Sequence, residues 1–596
     1  MGGLKRGLFV VAALAAACTR SASGHGEATP PPSSAPPVTA SAPPSASLTP
    51  PAPKPPLPVV HGGGNTVRSE RGVVVSVESQ ATRAGVRILE AGGNAVDAAV
   101  AVAYALAVTH PSAGNIGGGG FMLVHRVGQP TVAIDFRETA PEALTRERFD
   151  QMIAHDAIGP DAAGIPGTVA GLELAHDRFG KLSREDVLAP AIELAEKGHR
   201  IGHREGLTIR WSWPSIKRNP PLRAVFGDGK DPKKAGTRLR RPDLAKTLRR
   251  IAEQGRDGFY QGETAKRLIA GLGKNALWHA SDLSEYRAIE RTPLRFSYRG
   301  LTVETMPPPS AGGPTLAMIL SQRAALKAWQ NARGSALDLH LFLEASRRAQ
   351  AARRFAVVDP ERLPPGELAR RIALWENGAA LLSAHPIDPE HATPSSEIDP
   401  RFAAAMRELE HTTHLSVVDA DGNAVSLTTT LSAGFGAKIM PAGTGVVLNN
   451  SVASFGTAGD NLPKGGARTV SSMAPTLLFR DQELVAVLGS PGGDTIPSTV
   501  AQVLMNLVDA GMTLDRAVNA PRVHHGFVPD EARYERQRPP PKAVLDDLVR
   551  RGHTLSKKRI PMGDANDIVL ADGAAFGYAD PREGGLALGP SETKTP

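Results

Sequence analysis

The sequence predicts a layered α+β body, and three observations carry that prediction. Apolar residues recur at helical spacing over 81–109, the stretch 165–285 is mainly helical in pattern, and strand patterning begins near residue 411. The chain has 596 residues, of which 41% are apolar and 21% charged, enough for one large core or two ordinary ones. A single cysteine excludes a disulfide scaffold.

The first elements of the body follow from its apolar spacing. Val73–Val77 is a short apolar run that predicts a strand, and Ala81–Leu89 predicts a helix that ends at Gly92. A helix of small residues is expected from Asn94 to about Thr109. The glycine run 117–120 follows, and it predicts a tightly packed turn with close backbone approach.

The second half of the body carries the strand signals. Leu415–Val418 and Ala424–Leu427 are separated by a turn sequence of Asp, Gly and Asn, which predicts a β-hairpin. Three further strands are predicted, at Gly445–Leu448, Thr476–Phe479 and Leu484–Leu488.

The N-terminus predicts export. Lys5 and Arg6 precede the ten-residue apolar run Leu8–Ala17, which is too short to span a membrane and is typical of a secretory signal. The run ends at Cys18, and residues 1–18 resemble a bacterial lipoprotein signal whose cysteine becomes the lipid anchor. We therefore expect a lipid-anchored protein of the periplasm or outer membrane; a plain secreted form is the alternative.

Residues 19–65 predict a disordered tether. Thirteen of the 50 prolines fall within Pro30–Pro58, and most other residues there are Ser, Ala or Thr. Such a segment buries too little apolar surface to offset the entropy of ordering, and its prolines favour extended conformations. The segment would hold the folded body away from a membrane.

Composition and motifs exclude several classes of protein. The net charge is +8, but the basic residues are scattered and few aromatics lie among them, so no nucleic-acid partner is expected. The sequence has no Walker loop, Gly-x-Ser-x-Gly elbow or His-Glu-x-x-His pair, and the adjacent His524 and His525 would point apart. We expect neither a metal nor a cofactor.

Several strings occur in a characteristic order along the body. They are Phe136-Arg137-Glu138-Thr139-Ala140-Pro141, Ile165-Pro166-Gly167, Thr412-Thr413-His414-Leu415-Ser416, Asn449-Asn450, Ser471-Ser472-Met473-Ala474-Pro475-Thr476, Gly489-Ser490-Pro491-Gly492-Gly493 and Asn519-Ala520-Pro521-Arg522. Together they resemble the γ-glutamyltranspeptidases, or glutathione hydrolases, of the N-terminal-nucleophile hydrolase superfamily. The resemblance runs from about residue 70 to about residue 585.

The resemblance implies a four-layer αββα sandwich and a proenzyme that cuts itself between His411 and Thr412. A large subunit with its body over 66–411 would then pair with a small subunit of 412–596. A threonine hydroxyl is a weak nucleophile and needs a base beside it. The cut would free an α-amino group on Thr412, whose ordinary pKa of about 7.7–8.0 leaves part of it neutral near pH 7. Thr412 would thus carry both nucleophile and base.

The resemblance also assigns partners to the nucleophile. Thr430 matches the threonine that hydrogen-bonds it, and Gly492 and Gly493 match the backbone donors that stabilise the tetrahedral oxyanion. Arg137 matches the arginine that binds the α-carboxylate of the substrate, a task suited to a guanidinium. Ser471 and Ser472 match serines that hydrogen-bond the same carboxylate. A surface ion pair of Arg137 with Glu138 or Asp135 is the plain alternative.

The sequence departs from the family pattern where the substrate ammonium is bound. Ser454 replaces an aspartate, Ser451 replaces Gln or Glu, and Ser432 stands where an asparagine is usual. A site without the acid should bind an ammonium poorly. The segment from Phe455 to Ser471 is short and lacks tyrosine, which predicts an open site without a lid.

The sequence therefore predicts an amidohydrolase or acyltransferase that acts on γ-glutamyl amides through a γ-glutamyl-enzyme ester. Two alternatives stay within the same chemistry, an acylase for glutaryl or cephalosporin-type donors and one for poly-γ-glutamyl chains. Two others differ in class, an unprocessed non-catalytic lipoprotein and a serine-type peptidase of unrelated fold.

Overall fold

The computed structural model describes residues 66–401, 411–457, 459–558 and 561–591. The predicted signal segment with Cys18 and the predicted tether over 19–65 lie outside the described residues, so both stay predictions.

Twenty β-strands are present in the described residues. In chain order they are β1 Val67–Ser69, β2 Gly72–Ser76, β3 Gly119–His125, β4 Val132–Phe136, β5 His199–Arg200, β6 Gly227–Asp228, β7 Asp231–Pro232, β8 Arg238–Leu239, β9 Ile289–Arg291, β10 Leu294–Tyr298, β11 Leu301–Thr305, β12 His411–Asp419, β13 Ala424–Ser432, β14 Thr476–Arg480, β15 Glu483–Leu488, β16 Val523–His525, β17 Ala532–Tyr534, β18 Asn566–Ala571, β19 Ala574–Ala579 and β20 Leu586–Leu588.

Nineteen α-helices accompany them in the same part of the chain. They are α1 Ser79–Glu90, α2 Ala95–Thr109, α3 Arg146–Ala154, α4 Thr168–Phe179, α5 Arg184–Lys197, α6 His203–Ile216, α7 Pro220–Phe226, α8 Pro242–Gln254, α9 Asp257–Tyr260, α10 Gly262–Leu272, α11 Ala280–Glu285, α12 Gly312–Ala325, α13 Ala336–Ala356, α14 Glu367–Trp375, α15 Gly378–Ala384, α16 Ser395–Ile398, α17 Ile496–Val508, α18 Leu514–Asn519 and α19 Lys542–Arg550.

Two seven-stranded antiparallel sheets form the centre of the molecule. One has the order β1-β19-β18-β15-β14-β11-β10, and the other has the order β20-β2-β12-β13-β3-β4-β9. In the second sheet the central pair β12–β13 is the hairpin that the sequence predicted. Both sheets combine strands from before and after residue 411, so a cut at that point would leave the two parts interleaved.

The side chains of β2 show how the layers stack. Val74 packs into the core shared with α1, α2, α4, α5 and α8, whereas Val73 and Val75 pack between the two sheets. Successive residues of a strand face opposite sides, so the three consecutive valines of β2 serve two cores at once. The helices α12, α13 and α17 cover the outer face of the other sheet. The layers therefore follow the order αββα, as the resemblance implied.

The small-residue helix α2 shows how local sequence sets an element. The Asn94 side chain accepts from the amides of Val96 and Asp97, and the Asp97 carboxylate accepts from the Asn94 amide, which is a capping box. Every residue of α2 is buried, because alanine and valine let it lie close to its neighbours. No helix of the described residues is both long and apolar enough to cross a membrane.

Most predicted elements are confirmed, but the predicted strand at Gly445–Leu448 is wrong. The Leu448 amide donates to the carbonyl of Ile439, and the Ala437 amide donates to the carbonyl of Leu448. These bonds join two loop segments and form no ladder, and all four residues are buried, so the apolar pattern reflects a buried loop. The glycine run is only partly a turn, since β3 begins at Gly119.

Candidate active site

Thr412 lies near the start of β12, beside the end of β13. In this pair Thr412 faces Thr430 and His411 faces Ser432, with a bulge between the two positions. Bulges bend a strand and re-aim its side chains. The strand is continuous across the His411–Thr412 peptide, so this is the geometry of the uncut chain. Thr412 is 7% exposed.

The hydroxyl of Thr430 connects the predicted nucleophile to the predicted scissile carbonyl. The Thr412 hydroxyl donates to the Thr430 oxygen at 3.3 Å, and the Thr430 hydroxyl donates to the His411 carbonyl at 2.8 Å. A donor at this carbonyl withdraws electron density from its carbon. Thr430 therefore contacts both atoms whose reaction would cut the chain.

Ser432 fixes the position of Thr430 through its backbone. The Ser432 amide donates to the Thr430 oxygen at 2.8 Å. Ser432 has φ of 75°, in the left-handed region that asparagine tolerates better than most residues.

The Thr-Thr-His and Gly-Ser-Pro-Gly-Gly strings pack directly on each other. A Cβ at Gly489 would lie 2.1 Å from the His414 ring, so only glycine fits. The His414 ring nitrogens contact the hydroxyls of Thr428 at 2.8 Å and Ser416 at 3.1 Å. Burial lowers the pKa of His414 to about 3, so the imidazole is neutral at physiological pH. The neutral His414 ring therefore fills the space between the β12–β13 hairpin and the glycine-containing loop 489–493.

Gly492 and Gly493 form a left-handed turn beside Thr412. Their φ values are 129° and 57°, and a Cβ on Gly492 would lie 2.5 Å from the Thr495 hydroxyl. Among the described residues, no carbonyl accepts from either glycine amide. Two adjacent amides in such a turn suit an oxyanion.

Thr412 opens onto a cavity of about 890 Å³ that Gly492 also lines. Further walls come from Glu78 after β2, from His110 and Glu205, and from the segment 581–584 before β20. Because β2 and β20 lie on one side of β12, the walls at Glu78 and at 581–584 lie on that side of Thr412.

Arg137 lies on the opposite side of Thr412. Thr412 on β12 pairs with Thr430 on β13, which in turn pairs with Gly119 on β3. The next residue of β3, Gly120, pairs with Phe136 at the end of β4. Arg137, which follows Phe136, therefore lies level with Thr412 and three strands away from it. With neighbouring strands about 4.8 Å apart, the two backbones are about 14 Å apart. A short acyl chain and an arginine side chain would span that gap.

The Arg137 side chain is buried, at 2% exposure, and is held on several sides. Its guanidinium donates to Glu138 at 2.7 Å, to the carbonyls of Thr469 and Val470 at 3.2 Å each, and to the Ser454 hydroxyl at 3.4 Å. The ion pair with Glu138 that was the plain alternative exists, but it is buried and not on the surface.

Ser451, Ser454, Ser471 and Ser472 gather around this arginine. Ser451 and Ser454 lie on a single 3-10 turn, and the Ser451 hydroxyl donates to Glu138 at 2.6 Å. Ser471 and Ser472 directly follow the two carbonyls that Arg137 binds. The Ser471 hydroxyl accepts from the Met473 amide at 3.3 Å. The predicted residues thus form two groups, one at Thr412 and one at Arg137.

Sequence reasoning gave no role to Glu138 or to the charged residues of the cavity. Glu138 is fully buried, and Gly119 leaves room for its carboxylate, since a Cβ there would lie 2.5 Å from it. The sequence signal for Glu138 was its position directly after Arg137 in the string Phe136-Arg137-Glu138-Thr139-Ala140-Pro141. In the part of the chain that the structure describes, no three His, Cys, Asp or Glu residues form a group that could hold a metal.

Comparisons with known proteins agree with this geometry. The family model described as Gamma-glutamyltranspeptidase matches residues 81–589. The glutathione hydrolase proenzyme of Escherichia coli is 40% identical over 89% of this chain and 94% of its own length. The acylase ACY 1 proenzyme of a Pseudomonas species is 34% identical over 85% of this chain and 92% of its own.

A solved structure supports the same assignment. The cephalosporin acylase of Bacillus halodurans superposes with a TM-score of 0.78 at 25% identity, covering 91% of this chain and 99% of its own. The chain therefore belongs to the γ-glutamyltranspeptidase family of N-terminal-nucleophile hydrolases and is an enzyme of the glutathione hydrolase type.

Proposed function

We propose that the chain cuts itself between His411 and Thr412 and that the freed Thr412 then cleaves γ-glutamyl amides. The observation that carries the proposal is the Thr430 hydroxyl, which contacts both the Thr412 hydroxyl and the His411 carbonyl. A large subunit ending at His411 and a small subunit starting at Thr412 would stay together as a heterodimer through the shared sheets.

The first reaction needs only groups of this chain and water. The Thr412 oxygen attacks the carbonyl carbon of His411, the C–N bond breaks, and the nitrogen takes the hydroxyl proton. The product is an ester of His411 on the Thr412 side chain. Water hydrolyses this ester and leaves a carboxylate on His411 and a free α-amino group on Thr412. Thr430, as a donor to the carbonyl, stabilises the charge on its oxygen.

Turnover reuses the same hydroxyl. The neutral α-amine of Thr412 takes the hydroxyl proton while the oxygen attacks the amide carbon of the substrate. The Gly492 and Gly493 amides stabilise the oxyanion, and the leaving nitrogen takes the proton as the C–N bond breaks. Water or an amine then attacks the acyl ester and releases the acyl group.

On the donor side we assign the α-carboxylate of the substrate to Arg137, Ser471 and Ser472. Arg137 is fixed by buried acceptors and lies about three strands from the nucleophile. A guanidinium held in this way loses little freedom when it binds a carboxylate.

A second candidate is an acylase with a shifted donor. Ser454 contacts Arg137, and the neighbouring acid Glu138 is occupied by Arg137 and Ser451. Among the described residues of this cluster no carboxylate is left for an ammonium. A glutaryl group, also when it acylates a cephalosporin nucleus, lacks that charge, and a poly-γ-glutamyl chain is a further option. The similarity to an acylase proenzyme favours this candidate as well.

One kinetic comparison separates the candidates. The processed protein is assayed with γ-glutamyl and glutaryl anilides that share the same leaving group, and kcat/KM is measured for each. The main proposal predicts that the γ-glutamyl anilide is preferred, whereas the second candidate predicts the reverse. Hydrolysis of neither anilide by a correctly cut protein would exclude both the γ-glutamyl and the glutaryl group as the preferred donor.

We also propose that the protein is exported and anchored through Cys18, although residues 1–18 lie outside the described part of the chain. The basic start, the apolar run and the cysteine at its end support the proposal. Metabolic labelling with a fatty acid tests it, with Cys18→Ser as the control that should lose the label and leave the membrane fraction.

A further inference from the structure

We propose that the cavity beside Thr412 binds the leaving group and the acceptor, and that it selects groups carrying a second, positively charged nitrogen. A diamine or a basic amino acid has this chemistry. This inference rests on the proposed function. It concerns the leaving group of the substrate and the acceptor, which bind on the side of Thr412 away from Arg137.

The strand order gives the cavity its place in the reaction. Arg137 lies beyond β13 and β3, whereas the cavity walls at Glu78 and at 581–584 adjoin β2 and β20. An acyl chain that reaches from Thr412 toward Arg137 directs its scissile nitrogen away from Arg137. The group on that nitrogen therefore enters the cavity.

Two buried carboxylates in the cavity wall have an oxygen without a partner. Glu205 is 4% exposed and Asp564 is 1% exposed. Among the described residues, no donor reaches Oε1 of Glu205 or Oδ1 of Asp564. Both oxygens are buried beneath the cavity wall, and burial together with the nearby Asp580 raises the pKa of Asp564. A cation in the cavity would therefore be attracted to these carboxyl groups through the wall, without a direct hydrogen bond to the unpaired oxygens.

The other oxygens of these carboxylates are held in place. Oε2 of Glu205 lies 3.1 Å from the Ser112 hydroxyl and 3.2 Å from Nδ1 of His110. Oδ2 of Asp564 accepts from the Asn566 amide nitrogen at 3.1 Å. Each carboxylate is thus oriented by one oxygen, and its second oxygen lies unpaired beneath the cavity wall.

An aromatic side chain on the same cavity points to a cation independently. Trp211, on α6, lines the cavity and is 74% exposed, so its indole ring is accessible to a ligand in the cavity. The face of an indole ring attracts ammonium and guanidinium groups. A cavity lined by Trp211 and by the buried Glu205 and Asp564 suits a cationic chain with an apolar stem.

The cations of the cavity are engaged by other acids. Arg204 pairs with Glu583 at 2.5 Å, and Arg582 pairs with Glu535 at 2.7 Å and with Asp580 at 3.1 Å. Nη1 of Arg204 has no partner among the described residues, so an anionic leaving group is the competing possibility. An amide with an anionic leaving group therefore belongs in the experiment.

The test compares leaving groups that differ only in charge. Three amides of one acyl group that the protein hydrolyses are prepared with 1,4-diaminobutane, n-pentylamine and 5-aminopentanoate, and pairs of amides compete in one reaction. The ratio of kcat/KM values does not depend on the amount of active enzyme. We expect the cationic amide to be preferred over the neutral one by about tenfold, and the preference to shrink as salt rises.

Variants connect the preference to the named residues. Glu205→Gln and Trp211→Ala should each lower the cationic-to-neutral ratio at least threefold, and Trp211→Ala removes an exposed side chain that the fold does not need. Glu193→Gln, an exposed change on α5 outside the cavity, should leave the ratio as it is.

Three results would overturn the inference: a ratio near one in the parent protein, a preference for the anionic amide, or a ratio unchanged in both variants. Hydrolysis of an anilide by the same preparation separates this outcome from failure of the proposed function. If the anilide is cleaved without any preference for the cation, only the inference is lost.

Discussion

The hydroxyl oxygens of Thr412 and Thr430 lie 3.3 Å apart, and the Thr430 hydroxyl also donates to the His411 carbonyl at 2.8 Å. The relation arises from the bulge in β12, which sets Thr412 opposite Thr430 while His411 faces Ser432. One side chain thereby contacts the oxygen that we propose as the nucleophile and the carbonyl that it would attack. The consequences for the uncut chain and for turnover can be measured separately.

Replacing Thr430 by valine should slow the self-cut. Valine keeps the shape of threonine but cannot donate to the His411 carbonyl, and loss of one such donor typically costs about 10²–10³-fold in rate. The fraction of uncut chain is followed over time on a denaturing gel. Thr430→Ser keeps the hydroxyl and should process at a rate within about tenfold of the parent. Equal rates for the valine and serine variants would contradict the assigned role.

Gly492→Ala should lower turnover by about 10²-fold, because its φ of 129° and the nearby Thr495 hydroxyl prevent an alanine from keeping the turn. Gly573→Ala is the matched control, since Gly573 has φ of 72° but nothing lies within 4 Å of an added Cβ. Alanine at position 573 therefore adds only the strain of a positive φ and no steric clash. Hydrolysis of a γ-glutamyl anilide is measured on the processed proteins, and similar losses in both variants would argue against an oxyanion role.

Ser454→Asp should raise the preference for γ-glutamyl over glutaryl donors by about tenfold or more. The change restores a carboxylate beside Arg137, and a hydrogen bond to a charged group contributes about 1.5–3 kcal/mol. Ser454→Asn, which has the same shape without the charge, should leave the preference close to that of the parent. The measurement is the ratio of the kcat/KM values for the two anilides in each variant. If this ratio is the same in Ser454→Asp as in the parent, Ser454 has no role in donor recognition.

Asp567 predicts a pH dependence of stability. Burial raises the pKa of Asp567 to about 8, while its carboxyl accepts from the Gly489 amide at 2.9 Å. The folded protein thus keeps this proton between about pH 4 and pH 8, whereas the unfolded chain has lost it above about pH 3.9. The proton on Asp567 stabilises the fold fully below about pH 3.9, and this stabilisation is lost as the pH rises through about 8. Over this window the free energy of unfolding falls by up to about 1.4 kcal/mol per pH unit.

Melting temperatures of the parent and of Asp567→Asn test this at several pH values. Relative to the asparagine variant, the parent should become less stable from pH 5 to pH 8 and level off above it. A difference that stays constant over this range would show that the Asp567 carboxyl is ionised in the fold.

Much of the fold follows from local patterns in the sequence. The hairpin of β12 and β13 has alternating residues and a turn rich in Asp and Gly, and α2 begins with a capping box. Gly445–Leu448 misled because its buried apolar residues lie in a loop that has no partner strand. Periodicity reports which side chains are buried, and it cannot report where the backbone hydrogen bonds go.

The candidate site was predictable only in part. Ordered strings identified Thr412 and Arg137, whose neighbours are close in sequence or belong to the same motifs. The cavity depends on residues from distant segments, such as His110, Glu205 and Asp564. None of them has a distinctive local pattern, and only the sheet order brings them together.

The most direct test of the account is the sequence at the N-terminus of the smaller fragment. Purified protein is incubated, separated on a denaturing gel, and each band is sequenced, with Thr412→Ala as the control. The account predicts two bands, the smaller one beginning Thr-Thr-His-Leu, and a single band for the alanine variant. A parent protein that stays whole, or a cut at any other peptide bond, would contradict it.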